Sequence, residues 1–150
     1  MRQFGVRALN SLRMEKGYGG WGKEYTQDFT AAEAGLQRFV RMDKPRFIGL
    51  EAVRAQEGRA PQRQLRLLAI DSVNPDPGGG EPVLCDGNAV ARLTSAAYGY
   101  TVNHSLGFAY LPAQIEPSDT GLEVEVCGSR VRARVLESAP YDAAGVRLRG

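Results

Sequence analysis

At 150 residues, with apolar residues at 43%, charged residues at 24% and a formal net charge of +2, the chain has the make-up of one globular domain, or of one domain plus a piece of another. No apolar run approaches the roughly 18 residues that cross a bilayer, and "MRQFGVRALN" at the start lacks the apolar stretch of about 7–15 residues that marks a signal peptide. The weak positive charge is spread along the chain as scattered arginines, so neither a membrane nor nucleic acid is expected as a partner.

In chain order, "GVRALNSLRMEK" (5–16) sets Val6, Leu9 and Leu12 on one stripe, the period of a helix that Gly17, Gly19 and Gly20 then stop. Thr30 and Glu33 have capping-box spacing, with Phe29 and Ala34 as a possible staple, and predict a short helix over 31–39. "FIGLEAVRAQ" predicts another helix, entered near Gly49, and the polar "EGRAPQRQ" after it predicts a boundary. The resulting division is 1–57 and 58–150.

From residue 64 the period changes to two and turn signals crowd in. "QLRLLAI" and "SLGFAYLP" read as strands, "NPDPGGGEP" as a loop, and Asp86-Gly87 as a hairpin turn. In "GLEVEVCGSRVRARVLES" a Gly128-Ser129 turn would pair Val126 with Val131, Glu125 with Arg132 and Glu123 with Arg134. That pairing gives one apolar face and one face of opposed charges, and it explains the arginine alternation without nucleic acid. The expected fold is α+β and mostly β. A helical N-terminal segment is followed by a small antiparallel β-barrel or jelly-roll-like domain of at least six strands, with no helix after residue 64.

Motifs that carry chemistry are scarce. There is no dinucleotide fingerprint, phosphate loop, HExxH or nucleophile elbow, and no helix pattern follows "PGGGEP". His104, the one histidine, reads as a satisfied loop residue, and Glu33 is explained by its capping box. Cys85 and Cys127 have no metal or redox spacing. They are expected to be thiols in a reducing compartment, cytosolic or mitochondrial-matrix in type, and the localisation expected is cytoplasmic. No metal ligand and no catalytic residue is assigned. What remains is Tyr18, Trp21 and Tyr25 on a glycine-rich turn. They could wall a pocket for a planar heterocycle, or pack the turn onto the β domain.

The stretch "LNSLRMEKGYGGWGKEYTQDFTAAEAGLQRFVRMDKPRFIGLEAV" resembles the second half of the folate-binding region of the glycine cleavage T-protein (aminomethyltransferase) family. The likeness is carried by Ser11-Leu12-Arg13-Met14-Glu15, Trp21-Gly22, Thr30 to Leu36, Lys44, Phe47-Ile48-Gly49 and Glu51-Ala52. "LTSAAYGYTVNHSLGFAYLP" and "SAPYD" resemble later family segments, and "ALNSLRMEKGY..WG" is closest in flavour to the folate portion of dimethylglycine and sarcosine dehydrogenases. The chain departs from the family at Leu9, where the T-protein has an arginine, and at Ala31, where it has a proline.

The resemblance implies that the β part is the family's C-terminal barrel. It implies tetrahydrofolate as the ligand, accepting a one-carbon unit from an aminomethyl or N-methyl-derived iminium donor. It also implies that Tyr18 and Trp21 bind that cofactor. The family's proton-handling aspartate would lie upstream, and so would the flavin domain of the dehydrogenase members, so flavin is expected only with such a domain. The chain is therefore expected to be the C-terminal part of a larger enzyme in one-carbon transfer, inactive alone, its missing domains supplied in cis or in trans. The alternatives are a non-catalytic folate-binding protein, or a docking module whose stripe of Val6, Leu9 and Leu12 is an interface.

Overall fold

In a computed structural model, which describes residues 3–72, 74–116, 118 and 121–150, the chain folds into a six-stranded closed barrel with a helical lead-in laid on its outside. The strands are β1 (Arg63–Ile70), β2 (Pro82–Cys85), β3 (Asn88–Gly99), β4 (His104–Pro112), β5 (Leu122–Val126) and β6 (Ser129–Leu136). Their order around the barrel is β1-β4-β3-β2-β5-β6, all neighbours antiparallel. Closure comes where β6 returns to β1, from Leu67 opposite Leu136 to Ile70 opposite Ala133. The expected mostly-β fold with a small antiparallel barrel is what forms.

Two apolar clusters explain the strand sequences. Leu68, Ile70, Leu93, Ala109, Leu111, Val124 and Val135 fill the barrel interior. Leu67, Ala69, Leu106 and Phe108, on the outer faces of β1 and β4, form a second cluster with Met14. Both faces of β4 are therefore covered, and "SLGFAYLP" reads as a continuous apolar run instead of an alternation. The covering element is α1 (Val6–Glu15), where the 3.6-residue period predicts it. It buries Ser11, Met14 and Glu15 and leaves Val6, Leu9 and Leu12 more than half exposed. Its polar groups dock on the strand beneath: Asn10 Nδ2 donates to the Ala96 carbonyl at 3.0 Å and Ser11 Oγ to that of Tyr98 at 2.7 Å.

Three local readings are corrected. The last hairpin turns at Cys127-Gly128, not Gly128-Ser129, with φ of 49° and 80° at the two residues. Val126 then faces Ser129, Glu125 faces Arg130 and Glu123 faces Arg132. Two positive φ values make the primed turn whose twist matches a hairpin. The shift preserves side-chain parity, so the apolar face and the opposed charges survive. The helix expected over 31–39 reduces to one turn and a 3-10 segment, Gln37–Phe39. Its capping box does form, with Thr30 N–H donating to Glu33 Oε2 at 2.9 Å and Glu33 N–H to Thr30 Oγ1 at 3.2 Å. Gly35, at φ 70°, then ends the turn as soon as it begins. Finally, a one-turn helix, α3 (Val146–Arg149), lies beyond the barrel, where no helix was expected. The helix expected near Gly49 is α2 (Leu50–Arg54).

The corrected register has a direct test. Gly128→Val places a β-branched residue at φ 80° and is expected to cost about 1–3 kcal/mol. Ser129→Val, in strand conformation opposite Val126, should change stability by less than about 0.5 kcal/mol. Urea unfolding of the two variants measures both; equal losses would return the turn to Gly128-Ser129.

Candidate functional site

The aromatic turn is built around Gly20. Its carbonyl accepts the N–H groups of Lys23, Glu24 and Tyr25 at 3.2, 3.1 and 3.1 Å, and Gly22 N–H closes the loop onto the Tyr25 carbonyl at 3.0 Å. The Tyr25 ring lies so close to Gly19 that a Cβ there would sit 2.6 Å from Tyr25 Cζ, which is why the position is glycine. Tyr25 is thus a packing residue of the turn.

Beneath the turn lies a fully buried carboxylate that the sequence did not single out. Glu24 Oε1 accepts Thr94 Oγ1 at 2.6 Å and Ser95 Oγ at 2.5 Å, while Oε2 accepts Gly20 N–H at 2.6 Å and Arg13 Nη1 at 3.2 Å. Burial alone would raise the Glu24 pKa. Hydrogen bonds from Ser95, Thr94 and Gly20, with the Arg13 charge, outweigh it and hold the carboxyl below its ordinary value of 4.5. Arg13 directs its remaining donors to Asn10 Oδ1 at 2.8 Å, the Tyr18 carbonyl at 3.0 Å and Ser95 Oγ at 2.9 Å. On the far side, Tyr110 Oη donates to the Glu24 carbonyl at 2.8 Å. Burial, then the nearby Glu33, Tyr25 and Glu24, push that phenol up to about 12, so it stays a neutral donor. Tyr110 also stacks on Phe29, ring centroids 3.5 Å apart, and Arg63 covers the other side of the stack while pairing with Glu33 at 2.9 Å. The ring expected to staple Ala34 is stacked on the barrel.

This network supports one wall of an open cleft of about 820 Å³, large enough for a cofactor-sized molecule. Trp21, Val6, Leu9, Asn10, Tyr98 and Tyr100 line it, with Arg7, Lys23 and Asp76 among its charged residues. Trp21 is 90% exposed, and Tyr98 meets Tyr100 edge-on at 5.1 Å. Of the two predicted site residues, Trp21 lines this cleft. Tyr18 does not; it is half exposed beside Lys16, whose Nζ lies 5.9 Å from the ring centre. A second groove of about 840 Å³ runs past Phe29, Arg63, Arg92 and Tyr110. Its aromatic faces are already occupied by each other and by Arg63, so the Trp21 cleft is the better candidate. His104 stands apart from both, Nε2 at 3.2 Å from Asp71 Oδ1 in a geometry that makes no hydrogen bond. Cys85 and Cys127 form no disulfide, and no metal-binding cluster occurs among the described residues.

The model of the glycine cleavage T-protein C-terminal barrel domain matches residues 63–142, and that of the GCVT N-terminal domain matches residues 1–44. The chain belongs to the glycine cleavage T-protein family. It is 37% identical over 135 residues to mouse mitochondrial dimethylglycine dehydrogenase, covering 89% of this chain and 16% of that protein. It is 35% identical over 139 residues to the aminomethyltransferase of Shouchella clausii, covering 91% and 37%. The 4-methylaminobutanoate oxidase (formaldehyde-forming) of Paenarthrobacter nicotinovorans is 35% identical over 147 residues, covering 97% and 18%. The crystal structure of aminomethyltransferase T from Bartonella henselae shares the fold, with a TM-score of 0.77 at 24% identity, over 89% of this chain and 37% of that one. The chain thus spans well under half the length of these relatives.

Sequence reasoning missed Glu24 and its partners Thr94 and Ser95. One carboxylate in "WGKEY" has no periodic context, and its partners lie 70 and 71 residues away. The network gives an acid-side prediction. A carboxyl held below 4.5 in the folded state contributes stability that is fully present above the unfolded value and is lost as pH falls through the folded one. Melting temperature should therefore drop as pH falls below about 4.5, and the drop should be shallower in Glu24→Gln. Glu33, Asp43 and Asp142, held low by their own partners, supply the slope that remains.

Proposed function

We propose that this chain serves as the C-terminal part of a tetrahydrofolate-dependent, aminomethyltransferase-like enzyme of one-carbon transfer. The observation that carries this reading is the exposed Trp21 indole, held on a hydrogen-bonded turn at the edge of a cofactor-sized cleft. Tetrahydrofolate suits that cleft: a flat ring system can lie against Trp21 and the Tyr98–Tyr100 pair, while Arg7 and Lys23 lie among the lining for an anionic tail. Tetrahydrofolate, when bound, supplies the amine that takes up the one-carbon unit. In this reading residues 1–57 close a folate-binding domain and 58–150 form the barrel behind it, with Tyr18 beside the pterin wall that Trp21 provides.

The chain's own part is to bind and orient. Trp21, Tyr98 and Tyr100 offer aromatic area, and the barrel shields one side from water. Arg13 and Glu24 neutralise each other inside the wall, which leaves neither poised to move a proton for a substrate. The chain alone is therefore expected to bind without turning over. Titrating tetrahydrofolate should quench the fluorescence of Trp21, the one tryptophan of the chain, and Trp21→Ala should weaken binding measured by calorimetry by about tenfold or more. Methylene-tetrahydrofolate formation from an aminomethyl donor should be absent; robust turnover by the chain alone would refute the reading.

The exposed apolar stripe of α1 favours a second reading, a docking module for a polypeptide that carries the rest of the T-protein N-terminal domain. Val6, 82% exposed, Leu9 and Leu12 would be its interface. In that case the wild-type chain self-associates in sedimentation velocity, the Leu9→Asp/Leu12→Asp variant is monomeric, and tetrahydrofolate produces no fluorescence change.

A further inference from the structure

Glu15 and Glu24 are the two buried carboxylates among the described residues. Glu15 anchors the end of α1, its Oε1 accepting Thr101 N–H at 2.6 Å. Glu24 is a joint, because its partners come from four separate places. Arg13 belongs to α1, Gly20 to the aromatic turn, Thr94 and Ser95 to β3, and the Tyr110 hydroxyl that bonds its carbonyl to β4. Of these, the bond to Gly20 has a consequence at the cleft. Gly20 is held at its N–H by the Glu24 carboxylate and at its carbonyl by three backbone amides. The next residue is Trp21. Its indole is 90% exposed, so what the fold fixes is the Trp21 backbone and the direction in which its side chain leaves it.

We propose that Glu24 is the positioning residue of the cleft: through Gly20 N–H it fixes where Trp21 stands, and through Thr94 and Ser95 it references that position to the barrel. The proposal rests on the reading that the Trp21 cleft takes a flat ligand. A pre-set aromatic wall binds without the cost of ordering a mobile loop, so the affinity of a planar ligand is coupled to a carboxylate it never touches. A buried ion pair by itself is weak evidence of stabilisation, since an apolar replacement is often as good. Here the carboxylate does what an apolar residue cannot: it accepts from Gly20, Arg13, Thr94 and Ser95 at once.

The test has two arms. In the ligand-free chain, time-resolved anisotropy of the exposed Trp21 should show overall tumbling with a fast component of small amplitude in the wild type. In Glu24→Leu, which leaves Gly20 N–H with no acceptor, the amplitude of that fast nanosecond component should rise several-fold well below the melting temperature. Ser95→Ala, which removes a donor on the barrel side and leaves Gly20 bonded, should lower the melting temperature without that rise in amplitude. Should Glu24→Leu fail to fold, Glu24→Asp keeps the charge, draws back from Gly20 by one methylene and should show the same increase in fast motion. In the second arm, calorimetry with tetrahydrofolate compares wild type, Glu24→Leu, Trp21→Ala and the double variant. Each single change should weaken binding about tenfold, and the double variant should bind no more weakly than Trp21→Ala. Unchanged anisotropy in the Glu24 variants, or losses that multiply in the double variant, would overturn the positioning role. A wild type that binds no tetrahydrofolate would remove the ligand reading, and the anisotropy arm would still decide the role of Glu24.

Discussion

A charge taken out of water must be matched donor for donor, and the way Glu24 meets that constraint organises the rest of the structure. Four donors converge on its two oxygens, and they come from a helix, a turn and a strand that are far apart in sequence. Removing one partner of such a set leaves a buried charge uncompensated, which costs about 3–5 kcal/mol, so the elements are held to one geometry. The result is that α1, the aromatic turn and the barrel wall are tied together at one buried group.

The same constraint explains the two-sidedness of α1. Its inner face carries Ser11, Met14 and Glu15, of which two are polar and each finds a backbone partner on or beside β3. Its outer face carries Val6, Leu9 and Leu12, which are apolar and uncovered. An amphipathic helix ordinarily turns its apolar stripe to the core. Here the stripe faces away, and the inward face combines Met14, packed on β1 and β4, with two polar side chains bonded to backbone on or beside β3. The stripe found by periodicity was real, but period alone does not say which side of a helix the chain itself covers.

What was legible in the sequence follows physical range. Turn chemistry acts within four residues, so the Asp86-Gly87 hairpin, the end of α1 and the entry to α2 at Gly49 were readable. The Cys127-Gly128 turn was misplaced because a cysteine at φ 49° gives no compositional signal, whereas glycine beside serine does. The Thr30–Glu33 box was found, yet the helix it announced did not follow. Glu33 directs its other oxygen to Arg63 and its carbonyl to Leu65 N–H at 2.8 Å, stitching the turn to β1 instead of extending it. Trp21 was found through its glycine-rich setting. Glu24 was not, because its meaning lies in Thr94 and Ser95, beyond the reach of any local pattern.

The network also decides what kind of recognition the cleft can offer. Arg13 lines it, but its Nε, Nη1 and Nη2 are directed to Asn10, Tyr18, Glu24 and Ser95. It is a half-buried strut and not an available cation. The α1 side adds Val6 and Leu9. The lining is therefore mixed: Trp21, Tyr98 and Tyr100 are its aromatic part, Asn10, Ser11 and Asp76 its polar part, and Arg7 and Lys23 are exposed to solvent. Exposed charges are screened and contribute about 0–1 kcal/mol, whereas aromatic stacking against a fixed wall contributes about 0.5–1.5 kcal/mol beyond the area it covers. Recognition at such a surface depends first on the flatness of the ligand and on how firmly Trp21 is held, and only second on ion pairing. That order follows from Arg13 being committed to Glu24.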